Sequence, residues 1–349
     1  MKALVACWVT GSMERLYDWL FLKAIRGLGE VSIKKLFLDF GSAKNILSAT
    51  YEDCRRIIGE ERAKALFKKD LSFDPEAVIK TLEIENIGWL TLEDENYPIA
   101  LKEIDDPPPV LFFLGNLEHT PLIGIVGTRR PDVQSLNFIR SLVTEVVNVG
   151  YGVCSGGAVG CDFQSHRECL LQNGYTVCVL GMGLLKTPTY IQKLRGRLLL
   201  LSELLPEASP EEYTFPRRNR LISGLSRALV VAEAGERSGA LITAEYAVKQ
   251  GRPLWVYVGN ASSQRWLGCI KLVNEGKAKI LYSPALLFER LPPAHSHKEP
   301  LLELLSTPKT FDQLLQLTNM DPSELNLKLL QLEMEGKLIR QGNYYTVLL

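Results

Sequence analysis

Ser155-Gly156-Gly157-Ala158-Val159-Gly160-Cys161-Asp162 follows an apolar run, Tyr151 to Cys154, and opens a helical pattern, Asp162 to Gln172. Glycines in a strand-to-helix turn let backbone amides and a helix N-terminus approach an anion. The run departs from G-x-G-x-x-G, so taken alone it fits a tight packing turn as well as a phosphate cradle. Asp162 also suits the positive end of a helix whatever is bound there. The surroundings decide the fold. Strands are expected at Leu122 to Val126, Thr176 to Leu180, Leu198 to Leu201, Ala228 to Ala232 and Leu254 to Val258. Helices are expected at Leu136 to Val149 and Ala240 to Gln250. Alternation with nearly continuous apolar strands predicts an α/β fold, a mainly parallel sheet covered by helices on both faces. Glycines recur at the strand ends, and in such sheets ligands lie beyond the carboxyl ends of the strands.

Outside this core, residues 122–283, the pattern changes. Residues 1–80 read as a small helical domain. Leu16, Trp19, Leu20, Leu22 and Ile25 share one helical face, then Gly27-Leu28-Gly29 turns the chain. That turn fits either a helix-hairpin-helix unit or a bundle using glycine as a C-cap. Residues 81–121 read as an acidic, extended connector, broken by Tyr97-Pro98 and Pro107-Pro108-Pro109, with a short strand at Val110 to Leu114. Residues 284–295 read as a proline-bearing linker. Residues 296–349 show three leucine-rich helical patterns and a hairpin turning at Gln341-Gly342-Asn343, the order of a winged helix.

The 349 residues exceed one ordinary core, and 46% hydrophobic against 23% charged is globular usage. No membrane span and no signal peptide are expected. Seven scattered cysteines without a CxxC pair suit reduced thiols and a cytoplasmic location. The formal net charge is +0, but it is unevenly spread: +3 over 1–80, −8 over 81–121, +7 over 122–283 and −2 over 296–349. Of the 19 basic residues in 122–283, 13 are arginine, whose planar fork suits phosphate oxygens. An anionic ligand is therefore expected in the middle of the chain.

The candidate binding residues cluster at four strand ends: Gly127, Thr128 and Arg129; Ser155, Gly156 and Gly157; Phe215, Arg218, Asn219 and Arg220; and Ser238 with Gly239. Three arginines, an amide and an aromatic within Phe215 to Arg220 can hold phosphates and stack a base. Ser238 also suits helix capping. His166 lies one helical turn beyond Asp162, but no nucleophile signature accompanies the pair. There is no Walker A lysine and no metal-ligand spacing, so neither a metal nor a cofactor is expected.

Ile125-Val126-Gly127-Thr128-Arg129, Ser155-Gly156-Gly157-Ala158, Gly160, Asp162, His166, Gly181-Met182-Gly183, Ser202-Glu203, Phe215-Pro216, Arg218-Asn219-Arg220, Glu233-Ala234, Ser238 to Ala244 and Gly251-Arg252 follow one another in an order that resembles the bacterial DNA-processing protein A (DprA/Smf) family. The resemblance covers roughly residues 86–283, and the flanking segments fit longer members. It implies an extended Rossmann-like domain that binds single-stranded DNA, protects incoming strands in natural transformation and assists loading of the RecA recombinase. It also implies a homodimer without enzymatic activity. The pocket carried over by position comprises Arg129, Ser155, Gly156, Gly157, Phe215, Arg218, Asn219 and Arg220. Val159 stands where the family usually has a basic residue that contacts DNA; Arg130 and Arg167 are the candidate replacements. Cys161, Val258-Gly259, the segment from Gly183 to Tyr190, and Gly268-Cys269 also depart from the pattern. The alternative is a Rossmann-like nucleotide-binding enzyme such as a nucleoside-monophosphate hydrolase, with Asp162 or Glu233 as general base. A duplex-reading role for the winged helix conflicts with its charge of −2.

Overall fold

The computed structural model describes residues 13–194, 197–291, 301, 304–305, 308–318, 320–334 and 338–347. The chain divides into two compact units at Leu291/Pro292. The first is built on a nine-stranded sheet: β1 (Gly88–Thr91), β2 (Val110–Leu114), β3 (Leu122–Gly127), β4 (Gly152–Gly156), β5 (Thr176–Val179), β6 (Leu199–Ser202), β7 (Ser226–Glu233), β8 (Leu254–Val256) and β9 (Lys279–Ile280). Their order is β1-β2-β6-β5-β4-β3-β7-β8-β9. From β6 to β9 every pairing is parallel; β1 and β2 add an antiparallel edge.

From β3 the chain winds outward through β4, β5 and β6. It then crosses to the other side of β3 and continues through β7, β8 and β9. The reversal opens a crevice at the carboxyl ends of β3 and β7, where ligands of doubly wound sheets bind. Helices Val133–Asn148 and Cys161–Leu171 pack together, as do Thr214–Leu225 and Ala240–Lys249. The strands are buried on both faces, which is why they read as unbroken apolar runs: every residue of β4, β5 and β6 is buried.

The acidic connector does more than join. Trp89 pairs with Phe112 and Leu90 with Leu111, so residues 88–114 extend the sheet beyond β6. The helices between Met13 and Ile84 bury Leu16, Trp19, Leu36 and Leu82 in the same apolar cluster as the sheet. Within the proline-bearing stretch, Ala285–Phe288 is a turn of helix that buries Leu287 and sets Phe288 against Tyr151, 5.5 Å between ring centroids. Six cysteines are described, all buried and unpaired; Cys7 and the start of the chain lie outside the described residues.

The second unit has its own core of Leu301, Leu305, Leu314, Leu325, Leu329, Leu332, Leu338 and Tyr345. Helices Phe311–Thr318 and Pro322–Met334 precede the hairpin of β11 (Leu338–Gln341) and β12 (Tyr344–Val347), and β10 (Lys309–Thr310) pairs with β12. Of the first expected helix, Leu301, Leu304 and Leu305 are described and residues 302–303 lie outside the described residues.

Candidate anion-binding cleft

A cleft of about 1130 Å³ lies at the carboxyl ends of β3, β4, β5 and β7. The glycine turn after β4 forms one wall, and its geometry is fixed by sterics. Gly160 has φ +88°, and a Cβ there would stand 2.5 Å from the Thr128 carbonyl oxygen, so only glycine fits. Thr128 ties the ends of β3 and β7 to the start of helix Cys161–Leu171. Its amide donates to the Glu233 carbonyl (2.9 Å), and its carbonyl accepts from the Cys161 amide (3.1 Å). At Gly156 a Cβ would meet Asp162 Oδ2 at 2.6 Å and Arg218 Nη2 at 2.8 Å. The bare backbone there lets a carboxylate and a guanidinium flank the cleft floor. Burial pushes the Asp162 carboxyl up to about 6, against the pull of the Arg218 charge.

Helix Thr214–Leu225 forms the opposite wall. Phe215, Arg218, Asn219 and Ile222 follow i, i+3, i+4, i+7 spacing, and all line the cleft. The Thr214 hydroxyl anchors the helix start on the Gly181 carbonyl (2.6 Å). Arg218 is only 7% exposed. It donates to the Val179 carbonyl and, through Nε, to Asn219 Oδ1 (3.1 Å). Its guanidinium is thus held in place with one edge toward the cleft. Leu180, Met182 and Tyr190 add apolar surface, and the Tyr190 hydroxyl donates to the Gly157 carbonyl. The third wall is the loop after β7, with Arg237, Ser238 and Gly239, leading into helix Ala240–Lys249.

The structure brings together Gly127, Thr128, Arg129, Gly157, Phe215, Arg218, Asn219, Ser238 and Gly239. Three expected residues do not line the cleft. Ser155 is fully buried, and its hydroxyl donates to the Ile125 carbonyl (2.5 Å). Gly156 lies beneath the Asp162 and Arg218 side chains. Arg220 points the other way, because two residues along a helix turn a side chain by about 200° from Arg218. It is 1% exposed and bound to Glu203 and Asp106. Of the candidate replacements for a base at Val159, Arg130 lines the cleft and Arg167 does not. Sequence reasoning misses Arg237, in the loop after β7, and Tyr190, in the four-residue helix Thr189–Gln192, since neither segment is long enough to carry a periodicity that marks it.

His166 is buried, with Nε2–H donating to the Gly156 carbonyl (2.9 Å) and Nδ1 2.7 Å from the Thr176 hydroxyl. Burial lowers it to about 4, so it is a neutral support for the glycine turn. The Glu233 carboxylate is committed to the Asp132 amide (2.7 Å) and Arg265 (3.0 Å). Among the described residues no cluster of His, Cys, Asp and Glu could hold a metal ion, and no helix is long and apolar enough to cross a membrane.

A doubly wound α/β domain with glycine turns, arginines and an aromatic converging on its strand-end crevice defines the Rossmann-like class, with a candidate anion site in that crevice. Residues 88–292 match the family model of DNA recombination-mediator protein A, and residues 289–343 match the DprA winged helix domain. The chain therefore belongs to the DprA/Smf family of DNA recombination-mediator proteins. It is 34% identical over 268 residues to DNA processing protein DprA of Bacillus subtilis, covering 74% of this chain and 90% of that one. The crystal structure of DprA from Streptococcus pneumoniae superposes with a TM-score of 0.69 at 30% identity, over 79% of this chain and 98% of that one. A structure concerned with the single-stranded DNA binding mode of DprA from Helicobacter pylori gives a TM-score of 0.51 at 29% identity, over 58% and 94%.

Proposed function

We propose that this protein binds single-stranded DNA in the cleft, protects the strand, and assists its transfer to a RecA-type recombinase in transformation or recombination. The observation that carries this reading is the cleft itself. Exposed Arg129, Arg130 and Arg237 stand around a floor of Leu180, Met182, Tyr190 and Phe215, so phosphates and unstacked bases both find partners. The bare glycine backbone of the turn after β4 lets a phosphate approach closely. The relative from Helicobacter pylori, studied for its single-stranded DNA binding, supports the same ligand here. The winged-helix unit, at −2, is read as a protein-interaction or DNA-modulating module, because duplex binding rests on phosphate neutralisation. A homodimer in the cytoplasm and a role without catalysis complete the reading.

Competition of labelled oligo(dT) against unlabelled single strands and duplex tests the ligand. Single strands are expected to displace the probe far better than duplex, and equal displacement would contradict the reading. Sedimentation at micromolar concentration tests the dimer. One observation favours a nucleotide hydrolase instead: Asp162 is a buried carboxyl on the cleft wall that titrates near 6. Turnover of nucleoside monophosphates by the purified protein, lost in Asp162→Asn, would establish that reading.

A further inference from the structure

Helix Thr214–Leu225 has a second charged face, away from the cleft. Arg220 lies between two carboxylates. Nη1 and Nη2 donate to Glu203 Oε1 and Oε2, each at 2.7 Å, while Nε donates to Asp106 Oδ2 (2.8 Å) and Nη2 to the Asp106 carbonyl (3.1 Å). Nη1 also reaches the Arg217 carbonyl (3.2 Å). One turn earlier, Arg217 donates to Glu30, the first residue of helix Glu30–Phe40, and lies 3.8 Å from Glu203. Lys23 adds a third cation, and the charges of Lys23 and Arg217 outweigh burial to hold Glu30 below its ordinary value. Two arginines and three carboxylates from the N-terminal helices, the connector, the end of β6 and helix Thr214–Leu225 thus close on one another, within the field of Lys23.

We propose that Arg220 is a positioning residue, gripped by Glu203 and Asp106 so that the opposite face of its helix presents Phe215, Arg218 and Asn219 to the ligand, and that Glu30 extends this brace into the N-terminal helices through Arg217. The proposal rests on the reading of the cleft as a single-strand site. A bidentate fork on Glu203 fixes rotation about the helix axis as well as position, which a lysine could not do. The Arg220 carbonyl, accepting from Gln250 Nε2 (3.0 Å), ties the same turn to the chain after helix Ala240–Lys249.

The test compares the full-length protein with Arg220→Lys, Arg220→Gln, Asp106→Asn and Glu30→Gln in two measurements. The first is oligo(dT) affinity across a salt series. The second is amide hydrogen exchange without DNA. Arg220→Lys is expected to weaken binding about tenfold through lost preorganisation, at an unchanged salt slope. Amides of residues 214–225 should exchange faster while those of β3 and β7 keep their protection. Asp106→Asn and Glu30→Gln should act in the same direction with smaller size, and they carry the test if Arg220→Lys does not fold. A salt slope reduced by about 0.7 in Arg220→Gln, which removes the charge, would mean a direct phosphate contact and overturn the proposal. Unchanged affinity together with unchanged exchange would also overturn it. If the wild-type protein bound no single strand, the functional reading would fall, and the exchange data alone would decide the brace.

Discussion

Two basic clusters flank helix Thr214–Leu225 and handle their charge differently. Behind the helix, Arg217 and Arg220 meet Glu30, Glu203 and Asp106, and their charge is consumed inside the protein. In the cleft, among the described residues, Arg129, Arg130 and Arg237 have no carboxylate within ion-pair distance. Asp162, Glu211 and Glu212 share that cleft without pairing with them. Density of arginine therefore does not locate a binding site. What marks the candidate site is arginine that the fold leaves unneutralised, next to a glycine turn and an aromatic face.

The sharpest way to break this contrast is to remove one partner from each side. Glu203→Ala leaves the buried Arg220 with Asp106 as its remaining carboxylate partner and should cost about 3 kcal/mol of stability in urea unfolding, the low end for breaking a buried pair. Arg129→Ala should stay within about 0.5 kcal/mol, since an exposed side chain with no partner is lost. Comparable destabilisation by both would erase the distinction. Next in size is Phe215→Ala, expected to weaken oligo(dT) binding by about 1–3 kcal/mol if a base stacks on the ring. Titration of fluorescently labelled strands reads this directly, and unchanged affinity would remove Phe215 from the interface. Val159→Lys restores a charge on the cleft wall. It should tighten binding and steepen the salt slope by about 0.7, the value for one more phosphate on a single strand.

The smallest effect is that of pH. Burial raises the Asp162 carboxyl to about 6, so folding disfavours its ionised form. This group's contribution favours the folded state as pH falls from about 6 toward 4, and is lost as pH rises through 6. Protonation also removes a negative charge from the cleft. Binding should therefore strengthen modestly between pH 7 and pH 5.5, and Asp162→Asn should abolish that gain. His166, lowered to about 4, remains neutral over the interval. An identical pH profile in Asp162→Asn would assign the effect elsewhere.

The parallel strands were legible because burial on both faces leaves continuous apolar runs that end in glycine, as in Leu122 to Gly127 and Gly152 to Gly156. β1 was not, being four residues long beside acidic, irregular sequence. β9 was not either, since both its residues are exposed. At the site, the glycine turns and the stripe from Phe215 to Asn219 could be read, since their geometry is local. The fate of Arg220 could not be read from composition, because its partners Glu203 and Asp106 are 17 and 114 residues away. Helical spacing held half of that answer: Arg218 shares a face with Phe215, and Arg220 shares one with Arg217.

The central claim is that the unneutralised arginines of the cleft hold the phosphates of a single strand. Fluorescence anisotropy of labelled oligo(dT), for wild type and Arg129→Ala from low to moderate salt, tests it most directly. The predicted result is tight, salt-dependent binding by wild type, with weaker binding by Arg129→Ala and a slope shallower by about 0.7. Equal affinity and equal slope for the two proteins would contradict it.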